Sequence, residues 1–162
     1  MSGRIESINT SNGGVPKSSV FEALITEQGV AGDAQRDLRH HGGPDRAVLL
    51  FSLELIRALQ QQGHPIAPGA IGENLTVSGL DWKALKPGIR LQIGGVQLRV
   101  TGYAAPCSKI SGSFLDRDFE RVSQNRYPGW SRVCTRVVTG GIVRPGGSVE
   151  IHEEIEGANL PA

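Results

Sequence analysis

Leu91-Gln92-Ile93-Gly94-Gly95-Val96-Gln97-Leu98-Arg99-Val100-Thr101 places two alternating apolar runs on either side of a glycine pair. Alternation with period two turns one face of each run towards a core, and a Gly-Gly connection suits the positive φ of a tight primed turn, so the stretch reads as a β-hairpin. Outward from it lie more short β-rich runs: Val20 to Ile25, Ala47 to Phe51, Asn74 to Val77, Val133 to Val138 and Ser148 to Ile151. Turn signals separate them at Gly13-Gly14, Gly29, Gly42-Gly43-Pro44, Pro87-Gly88, Gly140-Gly141 and Pro145-Gly146-Gly147. Two segments read as helical. Ser52 is placed to cap a helix running to Gln62, with Leu55, Ile56 and Leu59 on one face and Gly63 just past its end. Leu115, Phe119 and Val122 give i, i+4, i+7 spacing to a second, from Ser113 to Gln124. The expected fold class is therefore mainly β: a mostly antiparallel, closed or nearly closed barrel with about two short helices, since closure removes strand edges. Residues 1–152 are expected to form one domain, and the acidic stretch 153–162 a flexible tail.

The chain has 162 residues, of which 22 are Gly and 9 Pro, 31 together or about 19%, against a usual ~12%. The excess has no period, which excludes collagen, and the apolar residues are too well spread for disorder. Lys+Arg 17 against Asp+Glu 16 leaves a formal net charge of +1, with neither the basic footprint of a nucleic-acid binder nor the polybasic cluster of a membrane-surface protein. Met1 to Thr10 lacks the apolar stretch of a signal peptide. The longest apolar run, Ala47 to Phe51, is far too short to span a bilayer. A cytoplasmic location is expected, and there Cys107 and Cys134 would be free thiols.

Four clusters carry reactive or polar residues where regular patterning breaks. Gly13-Gly14-Val15-Pro16-Lys17-Ser18 combines two glycines with donors for an anion, though taken alone it reads first as an ordinary loop before a strand. Gly32 to Asp37 leads into His40-His41-Gly42-Gly43-Pro44-Asp45-Arg46. A zinc reading fails there because no cysteine partner lies at finger spacing. Asp45 and Arg46 either fix the loop by pairing, or the Gly-Gly-Pro turn beside Arg46 makes an anion cradle. Glu73 and Asn74 stand where a Gly-rich loop enters a strand. Pro106-Cys107-Ser108-Lys109 follows the hairpin, so proline ends the strand and Cys107 falls on a loop at the barrel rim, where Lys109 favours its thiolate. Cys134 lies inside an alternating strand and reads as core packing.

Taken in order, these segments resemble a stand-alone MOSC domain, the module named after the C-terminal part of molybdenum cofactor sulfurases. The resemblance rests on Gly-Gly-Val-Pro-Lys (13–17), Gly-Asp-Ala-Gln-Arg-Asp (32–37), His-Gly-Gly-Pro-Asp-Arg-Ala (41–47), Gly-Glu-Asn-Leu (72–75), Pro-Cys-Ser-Lys (106–109) and Gly-Trp (129–130). It implies a β-barrel like that of a pyruvate kinase subdomain, with Cys107 as the hallmark cysteine. Two roles come with that cysteine. One is ligation of molybdenum held by molybdopterin, for reduction of N-hydroxylated compounds with electrons from external donor proteins. The other is a persulfide carried for cofactor assembly and received from a pyridoxal-phosphate-dependent cysteine desulfurase; no pyridoxal phosphate site is expected in this chain. The cofactor-binding residues implied are Lys17, Ser18, His41, Gly42, Gly43, Asp45, Arg46, Glu73, Asn74 and Lys109, with Cys107 as catalytic residue and metal ligand. Trp130 is expected to anchor a turn; Arg36 and Asp37 are open between pocket and scaffold. Molybdopterin and a small-molecule substrate are the expected partners.

Overall fold

A computed structural model describes residues 2–34 and 43–153. Its strands and single α-helix follow the chain as β1 (Ser2–Thr10), β2 (Ser18–Val20), β3 (Ala23–Thr26), β4 (Gly29–Val30), β5 (Val48–Ser52), α1 (Leu53–Gln61), β6 (Leu75–Ser78), β7 (Arg90–Ile93), β8 (Val96–Tyr103), β9 (Val133–Thr139), β10 (Gly141–Val143) and β11 (Ser148–His152). Seven of these close a ring in the order β11-β7-β8-β9-β5-β6-β1, with β1 pairing back onto β11 and β2 flanking β1. A second sheet, β10-β3-β4, packs beside it. The mainly β, closed-barrel fold class is the observed one.

The hairpin of β7 and β8 is present in the expected register, Leu91 opposite Leu98 and Ile93 opposite Val96. Gly94 at φ 57° is the first of the two turn residues, where a primed turn demands positive φ. The inward faces continue around the ring through Leu98 and Val137, Val133 and Leu50, Leu50 and Leu75, and Ile5 and Val77. All of these are at most 6% exposed, so the barrel interior is a packed apolar core.

β5 and β6 run parallel, so the chain must cross over between them, and α1 is that crossover. Ser52 caps it as expected, its Oγ accepting from the Leu55 amide at 3.1 Å. Ile56 and Leu59 are buried. Beyond the helix, Gly63 at φ 96° lets its amide reach Gln60 O and that of His64 reach Leu59 O, the paired bonds of a Schellman end.

Three local expectations change. The run from Val20 to Ile25 is two strands in different sheets, because Phe21 and Glu22 leave β2 exposed to solvent before β3 begins. Segment 113–124 is helical only as short 3-10 turns, Ser108–Ser113, Leu115–Arg117 and Phe119–Val122; Asp116 and Arg117 sit at φ 54° and 57°, which no α-helix can continue through. β1 has no counterpart among the expected strands. A bulge between Ile5 and Ser7 breaks its alternation, so that Ile5 and Ile8 both point inward. Among the described residues no helix is long and apolar enough to cross a membrane.

The cap and the core make separable contributions. Ser52→Ala leaves the Leu55 amide without its partner and is expected to cost about 1 kcal/mol, read as a lower urea midpoint at unchanged m-value. Leu91→Ala, inside the barrel, is expected to cost about 2–5 kcal/mol.

Candidate functional site

The loop that leads into β6, residues 69–74, lies against two buried polar groups. Asp33 is the centre of the first. Its Oδ2 accepts from Lys17 Nζ at 2.5 Å and from Asn74 Nδ2 at 2.9 Å, and its Oδ1 from the Ser11 amide at 2.9 Å. Both side chains of the ion pair are at most 7% exposed. Asn74 also accepts from the Leu49 amide at 3.0 Å, tying the network to β5. The Lys17 amide donates to Gly69 O at 2.8 Å. Gly69, at φ +82°, is where the two backbones meet: a Cβ there would lie 2.5 Å from Lys17 O, so only glycine fits.

Glu73 and Arg132 make the second group. Glu73 is fully buried; its Oε2 accepts from the Thr76 hydroxyl at 3.1 Å, and its Oε1 has no hydrogen-bond partner. Burial raises the carboxyl from its ordinary 4.5 to about 7; the Gly69 and Glu73 amides, Thr76 and the Arg132 charge oppose that rise. Arg132 is 5% exposed. It donates from Nη1 to Ile71 O at 2.9 Å and from Nη2 to Ala105 O at 3.3 Å, while its Nε is unpartnered. The guanidinium thus clamps the 69–74 loop to the loop that carries Cys107. Burial lowers its affinity for its proton, and Glu73, Cys134 and Cys107 act on it in the opposite sense.

Cys107 is half-buried on the rim loop after β8, as expected, just before a 3-10 turn. Cys134 is buried, but it does not face the barrel interior. Val133, Thr135 and Val137 point inward, so alternation puts Cys134 on the outer face of β9 with Arg136, opposite Leu49 and Gly102. Burial pushes its thiol up, against the charges of Arg132 and Arg46.

The remaining candidates lie around this rim. Asp45 Oδ1 accepts from Arg136 Nε at 2.9 Å, and its carbonyl accepts from the Thr101 hydroxyl, so Asp45 pins the 43–46 turn onto β8 and β9. Arg46 follows in that turn, and its charge reaches Cys134. Gly43 is exposed at φ 82°. Ser18 is exposed in β2, opposite Thr10, and Lys109 is exposed on the turn after Cys107. His41 and Gly42, with Arg36 and Asp37, lie outside the described residues. Trp130 is half-buried against the core, with the Arg121 guanidinium 4.0 Å from its ring centroid and 4.5 Å from that of Tyr127. It anchors its turn. Arg132 and Asp33 were not among the sequence candidates. Arg132 carried one signal, its place immediately before the alternating strand that holds Cys134.

Comparison with known proteins places this geometry among relatives. The model of the MOSC domain family matches residues 37–150. The uncharacterized protein YflK of Bacillus subtilis is 31% identical over 130 residues, 79% of this chain and 58% of that protein. Protein YiiM of Escherichia coli is 32% identical over 108 residues, 64% of this chain and 48% of that one. The chain therefore spans about half the length of the curated relatives it matches. The crystal structure of YuaD from Bacillus subtilis superposes with TM-score 0.72 at 21% identity, covering 96% of this chain and 98% of that one. That of YiiM from Geobacillus stearothermophilus gives 0.71 at 24%, covering 96% and 78%.

Two outcomes follow from the buried charges. Asp33→Ala leaves the Lys17 ammonium buried and unpaired, at an expected cost of about 3–5 kcal/mol. Lys17→Met in the same chain should recover part of that loss, measured as the double-mutant coupling in denaturant titrations. Glu73 gives a pH dependence. Its proton is held more tightly in the folded chain than in the unfolded one. The stability of the neutral form is therefore complete below about 4.5 and is lost as pH rises towards about 7. Relative to Glu73→Gln, the wild-type chain should lose on the order of 3 kcal/mol across that window. A flat difference in unfolding free energy between the two would show that the carboxyl is ionised throughout.

Proposed function

The chain belongs to the MOSC domain family, a family associated with the molybdenum cofactor, and from that premise we propose that it binds molybdopterin-held molybdenum at the Cys107 rim and serves the reduction of N-hydroxylated compounds. One observation carries the reading: a half-buried thiol stands on a loop clamped by a buried guanidinium, beside two buried polar atoms, Glu73 Oε1 and Arg132 Nε, that have no partner. The donor set fits the group. A thiolate is the soft ligand that a sulfur-rich metal centre takes, and a pterin ring offers several donors and acceptors to complementary buried atoms. Among the described residues no three His, Cys, Asp or Glu side chains gather to hold a bare ion, whereas a metal carried by its own cofactor needs one protein thiolate.

Within this reading Cys107 holds the metal, and the bound cofactor supplies two-electron redox chemistry. Arg46, in the exposed 43–46 turn, would supply the cationic group for its phosphate. Lys17 instead pairs with Asp33, which accepts from Asn74, and its amide donates to Gly69 O, so that it steadies the 69–74 loop. Glu73 holds a proton at its carboxyl near neutral pH. Conversion of an N-hydroxyl group to an amine consumes two electrons and two protons and releases water. The electrons come from an external donor protein.

The deciding measurement is the molybdenum content of the protein made in a host that synthesises the cofactor. Near-stoichiometric metal in the wild type, retained in Cys134→Ser and lost at least about tenfold in Cys107→Ser, is the expected result. Metal-free wild type, or unchanged loading of Cys107→Ser, overturns the reading. The charge that Arg132 brings to Cys107 also suits a persulfide. That second reading requires the mass of Cys107 to rise by one sulfur atom on incubation with a cysteine desulfurase.

A further inference from the structure

β3 and β10 carry apolar side chains on a solvent-facing surface. Leu24 and Ile142 are register partners, and partners on adjacent strands project from one face. Their neighbours Ala23, Ile25 and Val143 are buried, so this face points outward. Leu24 is 47% exposed and Ile142 56%, and Phe21, between β2 and β3, is 81% exposed. The barrel wall is patterned otherwise: outward there, Gln92 is opposite Gln97 and Arg90 opposite Arg99. One step beyond Ala23 and Val143, Glu22 Oε2 accepts from Arg144 Nε at 3.0 Å. Alternation puts that ion pair on the same outward face as Leu24 and Ile142, and each of its side chains is more than half exposed.

This face is its own complement. A two-fold axis parallel to the strands and midway between β3 and β10 exchanges the two columns of side chains and leaves their height along the strands unchanged. With two copies packed face to face about 10 Å apart, Leu24 of one copy meets Ile142 of the other, and Glu22 of one meets Arg144 of the other. Neither charge has to be free for this. The pair within each copy is kept, and each carboxylate comes to lie between two guanidinium groups. Phe21, Leu24 and Ile142 together offer about 350 Å² of apolar surface. At the usual apolar share of an interface, somewhat over half, that corresponds to about 600 Å² from each copy, the lower end of what a stable association buries. The area suits a reversible dimer and not a permanent one.

We propose that the outward face of β3 and β10, with Phe21 at its edge, is the contact surface of a two-fold symmetric dimer of this chain. Nothing in it depends on what the Cys107 rim binds.

The test is sedimentation velocity of the full chain from about 1 to about 300 µM. One monomer–dimer transition, centred on the order of 10 µM, is expected. Leu24→Glu should raise its midpoint at least about tenfold. Leu115→Glu places the same charge on another exposed leucine, beside Gly63, and should move the midpoint less than about twofold. The ion pair gives a second readout. Glu22→Arg makes that end of the face wholly basic, and Arg144→Glu makes it wholly acidic. Each variant alone should associate at least about tenfold more weakly, whereas an equimolar mixture of the two should form the mixed dimer at about wild-type strength. All four positions are exposed, and an unchanged far-UV circular dichroism spectrum checks that each variant folds. A chain that stays monomeric to about 300 µM overturns the proposal. So does a dimer that Leu24→Glu leaves intact, an equal loss with Leu115→Glu, a mixture that fails to associate, or a monomer that adsorbs instead to phosphatidylcholine vesicles through Leu24.

Discussion

β1 pairs through its first residues with β11, through its middle with β6 and through its last residues with β2. That one strand closes the ring, and closure gives the two faces of every barrel strand unequal environments. The inner face is lined mainly by Val, Ile and Leu, with a satisfied hydroxyl in Thr135, whose Oγ1 donates to Val48 O at 2.7 Å. Every charged or reactive side chain on those strands is forced outward. On β9 this sorting puts Val133, Thr135 and Val137 inside and leaves Cys134 and Arg136 outside. The candidate site is thus built on the outer wall and rim, where loops cover it, and the barrel interior serves as a rigid support.

Covering the outer wall with loops buries charge, and each buried charge has to be met locally. The Lys17–Asp33 pair is met by Asn74 and the Ser11 amide. Arg132 is met by two backbone carbonyls from different loops, so the cost of burying it is partly recovered as a fixed distance between the Cys107 loop and the 69–74 loop. Glu73 is met least well. Its Oε1 is unpartnered, and the neutral carboxyl is the form that burial favours. The two carboxyls of this neighbourhood are met differently: Asp33 pairs with a lysine ammonium at 2.5 Å, and burial raises Glu73 to about 7.

What could be read from the sequence was local. The β7–β8 turn, the Ser52 cap, the Gly63 helix end and the rim position of Cys107 each depend on a few consecutive residues, and each is found in place. Three kinds of feature were not legible. The bulge in β1 shifts its register by one residue and erases the alternation that would reveal the strand. In segment 113–124 the apolar spacing suits an α-helix, yet two successive residues at positive φ break it. Arg132 reaches carbonyls 61 and 27 residues away in the chain, and the ion pair of Lys17 spans 16 residues, so neither partner could be named from spacing.

The two cationic groups that follow Gly-rich turns stand in different surroundings. Lys17 and Arg46 are both cofactor-binding residues that the family resemblance implies. The fold separates them: the lysine charge is neutralised inside the Asp33 network, with a side chain only 7% exposed, whereas Arg46 lies in an exposed turn. A phosphate approaching Lys17 would have to displace a carboxylate already at 2.5 Å and lose the Asn74 contact with it. The position of the 43–46 turn is fixed by Asp45 through Arg136 and Thr101. Lys17 thus serves the structure: it pairs with the Asp33 carboxylate, which in turn accepts from Asn74 and steadies the loop that positions Glu73.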